Sequence, residues 1–261
     1  MQPKDTIIVT MPAIYRPEIL QLTLWSFHRG LLSQFESKTL IINLDPSNSE
    51  ASSARQQEQT LKICRYYFDK VISRFPCEPG FGAAVRWVWS EALEFNRPFF
   101  HLEDDWVLNR KLDRHLVFEN FAHPAVGSIR LQRRPNVQTT LSQSLSLNPV
   151  FLNPEFIAEA LTNFRSDLDP EKQFQYEPLS SQLKRWQHYI YPGVVACAPY
   201  RFGIVSDTGT HWRKSKSIEK RFVDGRSFWV SRPNRRLSTI KSSLILKLKL
   251  RLYKLRSFMN C

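Results

Sequence analysis

The sequence predicts an α/β protein, with a mostly parallel sheet flanked by helices and a basic C-terminal extension. Three observations predict it. From Thr6 to Leu108, short uninterrupted apolar runs alternate with helix-length segments, the pattern of strands buried on both faces by crossover helices. Acidic or glycine-containing turns follow several of these runs, where a parallel sheet gathers its ligands. The charge is also unevenly divided: residues 1–212 hold 22 Lys/Arg and 22 Asp/Glu, whereas residues 213–261 hold 15 and 2.

In chain order, Thr6–Ile14 is β-branched and apolar and reads as the first strand. After Tyr15-Arg16-Pro17, the segment Glu18–Arg29 spaces Ile19, Leu20, Leu22, Leu24 and Phe27 as a helix does and stops at Gly30. Lys38–Leu44 is the second strand, closed by Asp45-Pro46-Ser47-Asn48-Ser49. The polar stretch Glu50–Tyr67 suits a helix, and Lys70–Arg74 a third strand. Pro79-Gly80-Phe81-Gly82 turns into a helix carrying Ala83, Ala84, Val85, Trp87 and Val88, which runs to about Phe95. Pro98–Leu102 is the fourth strand. Beyond Leu108 the reading is a helix at Asp113–Phe121, a strand at Ser128–Leu131 and a turn at Asn148–Pro154 leading into a helix at Glu155–Phe164. An acidic mobile loop at Asp167–Pro178, a helix at Gln182–Tyr191, and strands at Val194–Ala198 and Phe202–Val205 complete the body.

With 261 residues and 42% hydrophobic content, the chain can bury one substantial core. The expected organisation is a catalytic body at 1–212 and a basic extension at 213–261. No apolar run reaches bilayer length, and no leader-like segment opens the sequence. Cys64, Cys77, Cys197 and Cys261 are scattered without the spacing of a zinc or redox pair. A reduced, cytoplasmic protein is the simplest expectation, with peripheral attachment to the inner membrane face as its alternative.

The chemistry concentrates where the fourth strand ends in Glu103-Asp104-Asp105 before Trp106-Val107. Carboxylates are costly to bury unpaired, so something must compensate them. A hard divalent cation, Mg²⁺ or Mn²⁺, suits such oxygen donors. The alternative is an acidic turn or helix start. Gly80-Phe81-Gly82 at a helix start brings backbone N–H groups close to any ligand there, although glycine pairs are common in turns.

Three segments resemble the GT-A fold of nucleotide-sugar glycosyltransferases, most closely the family 2-like enzymes: the opening strand into Pro12 and Tyr15-Arg16-Pro17, Asp45 after the second strand, and Pro79–Arg86 before the acidic strand end. The resemblance implies that Asp45 contacts the nucleotide base. It also implies that Gly80, Gly82, Arg86 and Asp104 hold the nucleotide-sugar donor, and that Glu103 and Asp105 bind the metal. The chain has Glu-Asp-Asp where many relatives have Asp-x-Asp. Breaking a sugar–phosphate bond leaves a charged nucleoside diphosphate, which a carboxylate-held divalent ion stabilises as a Lewis acid.

In Ser206-Asp207-Thr208-Gly209-Thr210-His211, Asp207 is the candidate general base for an acceptor hydroxyl, or else a turn or helix cap. His211 is a candidate metal ligand, or an ordinary packed or surface histidine. Asp167, Asp169 and Glu177 are the rival bases. Trp87, Trp89, Trp106, Trp186, Trp212 and Trp229 divide between core packing and sugar or base stacking. Arg130, Arg133 and Arg134 suit either phosphate or solvent.

In the tail, Leu246–Leu252 alternates leucine with cation as an edge strand does. As a helix it sets Leu244, Leu248, Leu252 and Leu255 on one face and Lys247, Arg251 and Lys254 on another, suited to an anionic membrane or to DNA phosphates. The Asn43–Pro46 and Glu103–Trp106 segments look similar to phage-type enzymes that glycosylate hydroxymethylated DNA bases. The expected function is therefore a metal-dependent glycosyltransferase acting on such a base. The alternatives are a peripheral membrane glycosyltransferase and a non-catalytic nucleic-acid-binding protein. Oligomeric state is left open.

Overall fold

The computed structural model describes residues 5–46, 53–134, 141–142, 145–191, 194–197, 200–216, 218–223 and 226–231, with positions 244, 247, 248 and 251 of the tail. The first half follows the predicted order: β1 (Thr6–Ile14), α1 (Pro17–Gly30), β2 (Ser37–Asp45), α2 (Ser53–Tyr67), β3 (Lys70–Arg74), α3 (Phe81–Leu93) and β4 (Phe99–His101). Then come β5 (Trp106–Leu108), α4 (Arg114–Glu119), β6 (Val126–Leu131), β7 (Leu141–Ser142), β8 (Val150–Leu152) and α5 (Pro154–Leu161). The remainder is α6 (Pro170–Gln173), α7 (Leu179–Gln182), β9 (Gln187–Tyr191), β10 (Val194–Cys197), β11 (Tyr200–Gly203), β12 (Val205–Asp207), α8 (Gly209–Ser215), β13 (Ile218–Val223) and β14 (Arg226–Ser231).

The main sheet has eight strands in the order β3-β2-β1-β4-β8-β6-β9-β7. The β3-β2-β1-β4 half is parallel throughout, with the strand order of a Rossmann-type nucleotide-binding half. β8 runs antiparallel between β4 and β6, β9 is parallel to β6, and β7 closes the edge antiparallel to β9.

Both faces are covered, which is why the strands read as unbroken apolar runs. Ile7, Val9 and Met11 of β1 and Leu40, Ile42 and Leu44 of β2 pack with Leu20, Leu24 and Phe27 of α1 and with Cys64 and Tyr67 of α2. On the other face, Ile8 and Ile41 meet Val85, Val88 and Trp89 of α3 and Phe156 and Ile157 of α5. The period of two along β2 therefore turns Asn43 and Asp45 to the α3 side.

Three expectations are corrected. The helix expected over Gln182–Tyr191 is the short α7 followed by strand β9. Trp186 and Ile190 are four apart, which mimics a helix, but His188 and Ile190 are buried between the more exposed Gln187, Tyr189 and Tyr191, a strand period. The loop expected over Asp167–Pro178 contains α6 and buries Pro170, Gln173 and Phe174. The turn expected at Asn148–Pro154 holds strand β8, three apolar residues in the middle of the sheet. In the tail, Leu244, Lys247, Leu248 and Arg251 are each helical and exposed, so the helical pattern applies at those positions. The rest of the predicted Leu–Lys alternation lies outside the described residues.

Candidate active site

A parallel sheet opens a crevice where the strand order reverses, because the connections leave β1 and β4 on opposite sides. Three segments converge at this carboxyl edge. They are Tyr15-Arg16 after β1, Asp45 at the end of β2, and Glu103-Asp104-Asp105 after β4.

The β2 side is built around Asp45, which is 7% exposed. Its Oδ1 accepts from Asn43 Nδ2 at 2.7 Å and its Oδ2 from the backbone N–H of Gly80 at 3.0 Å. Burial raises the Asp45 pKa above the ordinary carboxylate range, while the Gly80 and Asn43 bonds and the charge of Arg74 pull it down. Tyr15 has its pKa raised by burial and by the nearby Asp45 charge. Arg74 stacks over Trp87 at 5.7 Å. The buried Asn43 Oδ1 has no hydrogen-bond partner among the described residues. Gly80 and Asp45, 35 positions apart, are thus in direct contact.

Gly82 and Arg86 do different work. A β-carbon on Gly82 would run into the carbonyl oxygens of Ser166 and Leu168, so packing of the 166–168 segment on α3 accounts for that glycine. Arg86 donates to the Phe164 carbonyl. Both contacts tie α3 to the chain beyond α5.

The acidic turn is held by Arg16. Its Nε donates to Asp104 Oδ2 at 2.6 Å and its Nη2 to Asp104 Oδ1 at 2.5 Å, a bidentate fork. The same Nη2 donates to Asp105 Oδ2 at 2.9 Å. Burial opposes the charge on Arg16, but Asp104 and Asp105 more than offset it and raise its pKa. Burial pushes the Asp105 pKa up, and the Asp104 and Asp207 charges add to this against the pull of Arg16 and Arg213. The Trp212 ring covers the Arg16 guanidinium at 5.2 Å, and Arg213 Nη1 lies 3.7 Å from Asp105 Oδ2. Thr23 fixes the Asp104 carbonyl, and Thr208 bonds the Asp105 carbonyl through both its N–H and its hydroxyl. The counter-charge that the sequence assigns to a cation is therefore supplied, for Asp104, by the chain itself.

Asp207 pairs in register with Trp106 across β12 and β5, beside the acidic turn. It accepts from the Thr210 N–H at 3.0 Å, the Thr210 hydroxyl at 2.9 Å and Arg133 at 3.2 Å, so it caps the start of α8 while facing the crevice acids. Arg133 also stacks over Trp106 at 5.4 Å. His211 lies in α8, but its side chain is outside the described residues. The rival bases have local partners: Asp167 pairs with Arg165, Asp169 caps α6, and Glu177 accepts from Ser180 and Ser181. Arg130 lies on β6, where burial lowers its pKa, and the Arg134 carbonyl accepts from Gln132. Trp89, Trp106 and Trp186 are core residues.

No cluster of three or more metal-ligating His, Cys, Asp or Glu side chains occurs among the described residues. Glu103, whose Oε2 accepts from Trp106 Nε1 at 3.4 Å, and Asp105 are candidates for a different kind of cation, one bound through one or two carboxylates with phosphate and water oxygens completing its shell.

No family model matches the chain, and no curated protein matches it. Among solved structures, the chain is similar to the mannosyltransferase PcManGT from Pyrobaculum calidifontis in complex with GDP-Man and Mn²⁺, at 11% identity and a TM-score of 0.49, over 80% of this chain and 61% of that one. It is similar to S. aureus TarS 1-349 at 9% identity and a TM-score of 0.49, over 80% and 63%. A third similarity is to 4-diphosphocytidyl-2C-methyl-D-erythritol synthase from Anaerococcus prevotii, at 8% identity and a TM-score of 0.40, over 71% and 88%. The chain spans about three fifths of the length of the first two.

Proposed function

We propose that this protein is a nucleotide-sugar glycosyltransferase of the GT-A type, with its donor site at the carboxyl ends of β1, β2 and β4. The observation that carries the reading is that Asp45, bonded to the Gly80 N–H, and the acidic turn lie at the carboxyl edge of the neighbouring parallel strands β2, β1 and β4, where the strand order reverses. Asp45, which keeps some exposed surface, presents carboxylate oxygens suited to the N–H groups of a nucleobase, with Asn43 bonded behind it. Glu103 and Asp105 would hold the divalent ion, Mn²⁺ or Mg²⁺, that supplies Lewis acidity at the leaving diphosphate. Arg16 keeps Asp104 and Asp105 in place, and Trp106 and Trp212 border the site through their stacked arginines. Asp207 would take the proton of an acceptor hydroxyl, a role supported by its register beside Trp106 and the acidic turn.

The acceptor we propose is a hydroxymethylated base in DNA. The neutral body and the 15 Lys/Arg of residues 213–261 suit a polyanion, and α8 leads from the acidic turn directly into that segment. Transfer to such a base requires it to leave the stack. The exposed Leu244 and Leu248, helical beside exposed Lys247 and Arg251, favour a second reading, a peripheral membrane enzyme acting on a lipid-linked or surface glycan.

Donor hydrolysis screened over nucleotide sugars with Mn²⁺, then repeated with hydroxymethylated DNA and with anionic vesicles, tests both readings. Stimulation by the DNA supports the first and stimulation by the vesicles the second. Turnover that survives Glu103→Ala combined with Asp105→Ala sinks the assignment of the metal to these two carboxylates. Salt-sensitive DNA binding without any donor turnover would indicate a non-catalytic nucleic-acid-binding protein instead.

A further inference from the structure

We propose that Arg16 is a resident counter-cation that keeps the acidic turn closed to divalent ions until a nucleoside diphosphate is present, so that metal and donor bind together. The proposal rests on the donor-site reading above and deepens it. Two adjacent carboxylates, Asp104 and Asp105, are 2% and 5% exposed, and without a built-in partner they would attract any hard cation. Arg16 is that partner, and it is not a surface arginine free to swing away. It is 8% exposed, its carbonyl accepts the first N–H groups of α1 from Ile19 and Leu20, and Trp212 covers its guanidinium.

The division of its bonds is unequal. Both Asp104 oxygens are engaged by the fork, whereas Asp105 receives one bond from Arg16 and the longer approach of Arg213. The Asp104, Asp105 and Asp207 carboxylates thus face the guanidinium groups of Arg16, Arg213 and Arg133, and a divalent ion gains little by joining carboxylates already paired. A diphosphate arriving beside Asp105 adds negative charge and oxygen donors at once. That is the condition under which an ion bound through one or two carboxylates completes its shell.

Mn²⁺ titration followed by electron paramagnetic resonance tests this on the full chain, alone and with UDP, GDP, CDP or ADP, after subtracting the Mn²⁺ held by free nucleotide. The wild type should bind Mn²⁺ about tenfold or more tightly with its preferred nucleoside diphosphate than without it. Arg16→Met should bind Mn²⁺ without nucleotide about tenfold more tightly than the wild type, and its melting temperature should rise with Mn²⁺ while that of the wild type does not. Arg16→Lys, whose point charge cannot grip both Asp104 oxygens, should show a smaller gain of the same sign and stands in if the methionine variant does not fold. Equal Mn²⁺ affinity of the wild type with and without nucleotide overturns the proposal, as does a folded Arg16 variant with no gain. Failure of all four nucleoside diphosphates to bind the wild type, with or without Mn²⁺, overturns the donor-site reading itself.

Discussion

Gly209 leaves no room for a side chain against Asp105: a β-carbon at position 209 would overlap the Asp105 Oδ2 oxygen. The close approach seats the first turn of α8 on the acidic turn, together with the two Thr208 bonds to the Asp105 carbonyl. Asp105 sits on a short side chain already gripped by Arg16, so it has little freedom to retreat. Gly209→Ala should cost about 1–3 kcal/mol through overpacking, and donor turnover should fall further than stability does because the displaced group is the candidate metal ligand. Urea melts set beside initial rates at saturating donor read the two effects separately.

Arg16→Ala strands two buried carboxylates, Asp104 and Asp105. The expected loss is about 3–5 kcal/mol, the range for breaking one partner out of a buried ion pair. Asp104→Asn combined with Arg16→Ala should lose less than the two single changes added together, because the second substitution removes a charge the first left unpaired. A double-mutant cycle by chemical denaturation measures the difference, and additive losses would mean that the fork contributes nothing specific.

The strands and helices up to β4 were legible because burial on both faces writes them as continuous apolar runs, and local turn chemistry marks their ends. Asp45, Gly80 and the acidic triplet were legible as a group because a parallel sheet collects its strand ends at one edge. Arg16 was not recognised, since its pairing with Asp104 joins positions 88 apart and no local period encodes it. A signal was nonetheless present. Arg16 is the N-cap of α1, where the helix dipole disfavours a cation, and a cation placed there implies an acidic partner. Gly82 was read as a ligand-facing glycine because close packing by a distant segment and close approach by a phosphate leave the same mark in a sequence.

Asp45→Asn is nearly isosteric but loses the charge and sets its new NH₂ against a donor. One Asp45 oxygen accepts from Asn43 Nδ2 and the other from the Gly80 N–H, so the asparagine keeps both bonds only if its oxygen stays on Gly80 and the Asn43 carboxamide turns over. The variant should lose about 1–3 kcal/mol of stability and bind nucleoside diphosphates more weakly. Isothermal calorimetry with a nucleoside and with inorganic pyrophosphate separates the parts: the nucleoside should lose affinity, and pyrophosphate should bind as it does to the wild type.

Two buried histidines make stability fall with acid. His101 on β4 sits fully buried between Thr10 and Trp89, its Nδ1 3.0 Å from the Thr10 hydroxyl and 3.1 Å from Trp89 Nε1, and burial lowers its pKa to about 3. His188 on β9, 2.8 Å from the Ser128 hydroxyl, has its pKa lowered to about 4 by burial and by Arg130. Both folded values lie below the unfolded one, so the unfolded chain binds the extra protons. The stabilisation from keeping the rings neutral is present above the unfolded pKa and is lost as the pH falls from there towards 3–4. Between pH 7 and pH 5 each histidine should remove about 2 kcal/mol of stability. Urea denaturation across that range should show the slope, and His101→Phe, although less stable at every pH because Trp89 and Thr10 lose their shared partner, should flatten it by roughly half. An unchanged slope in that variant would assign the acid sensitivity elsewhere.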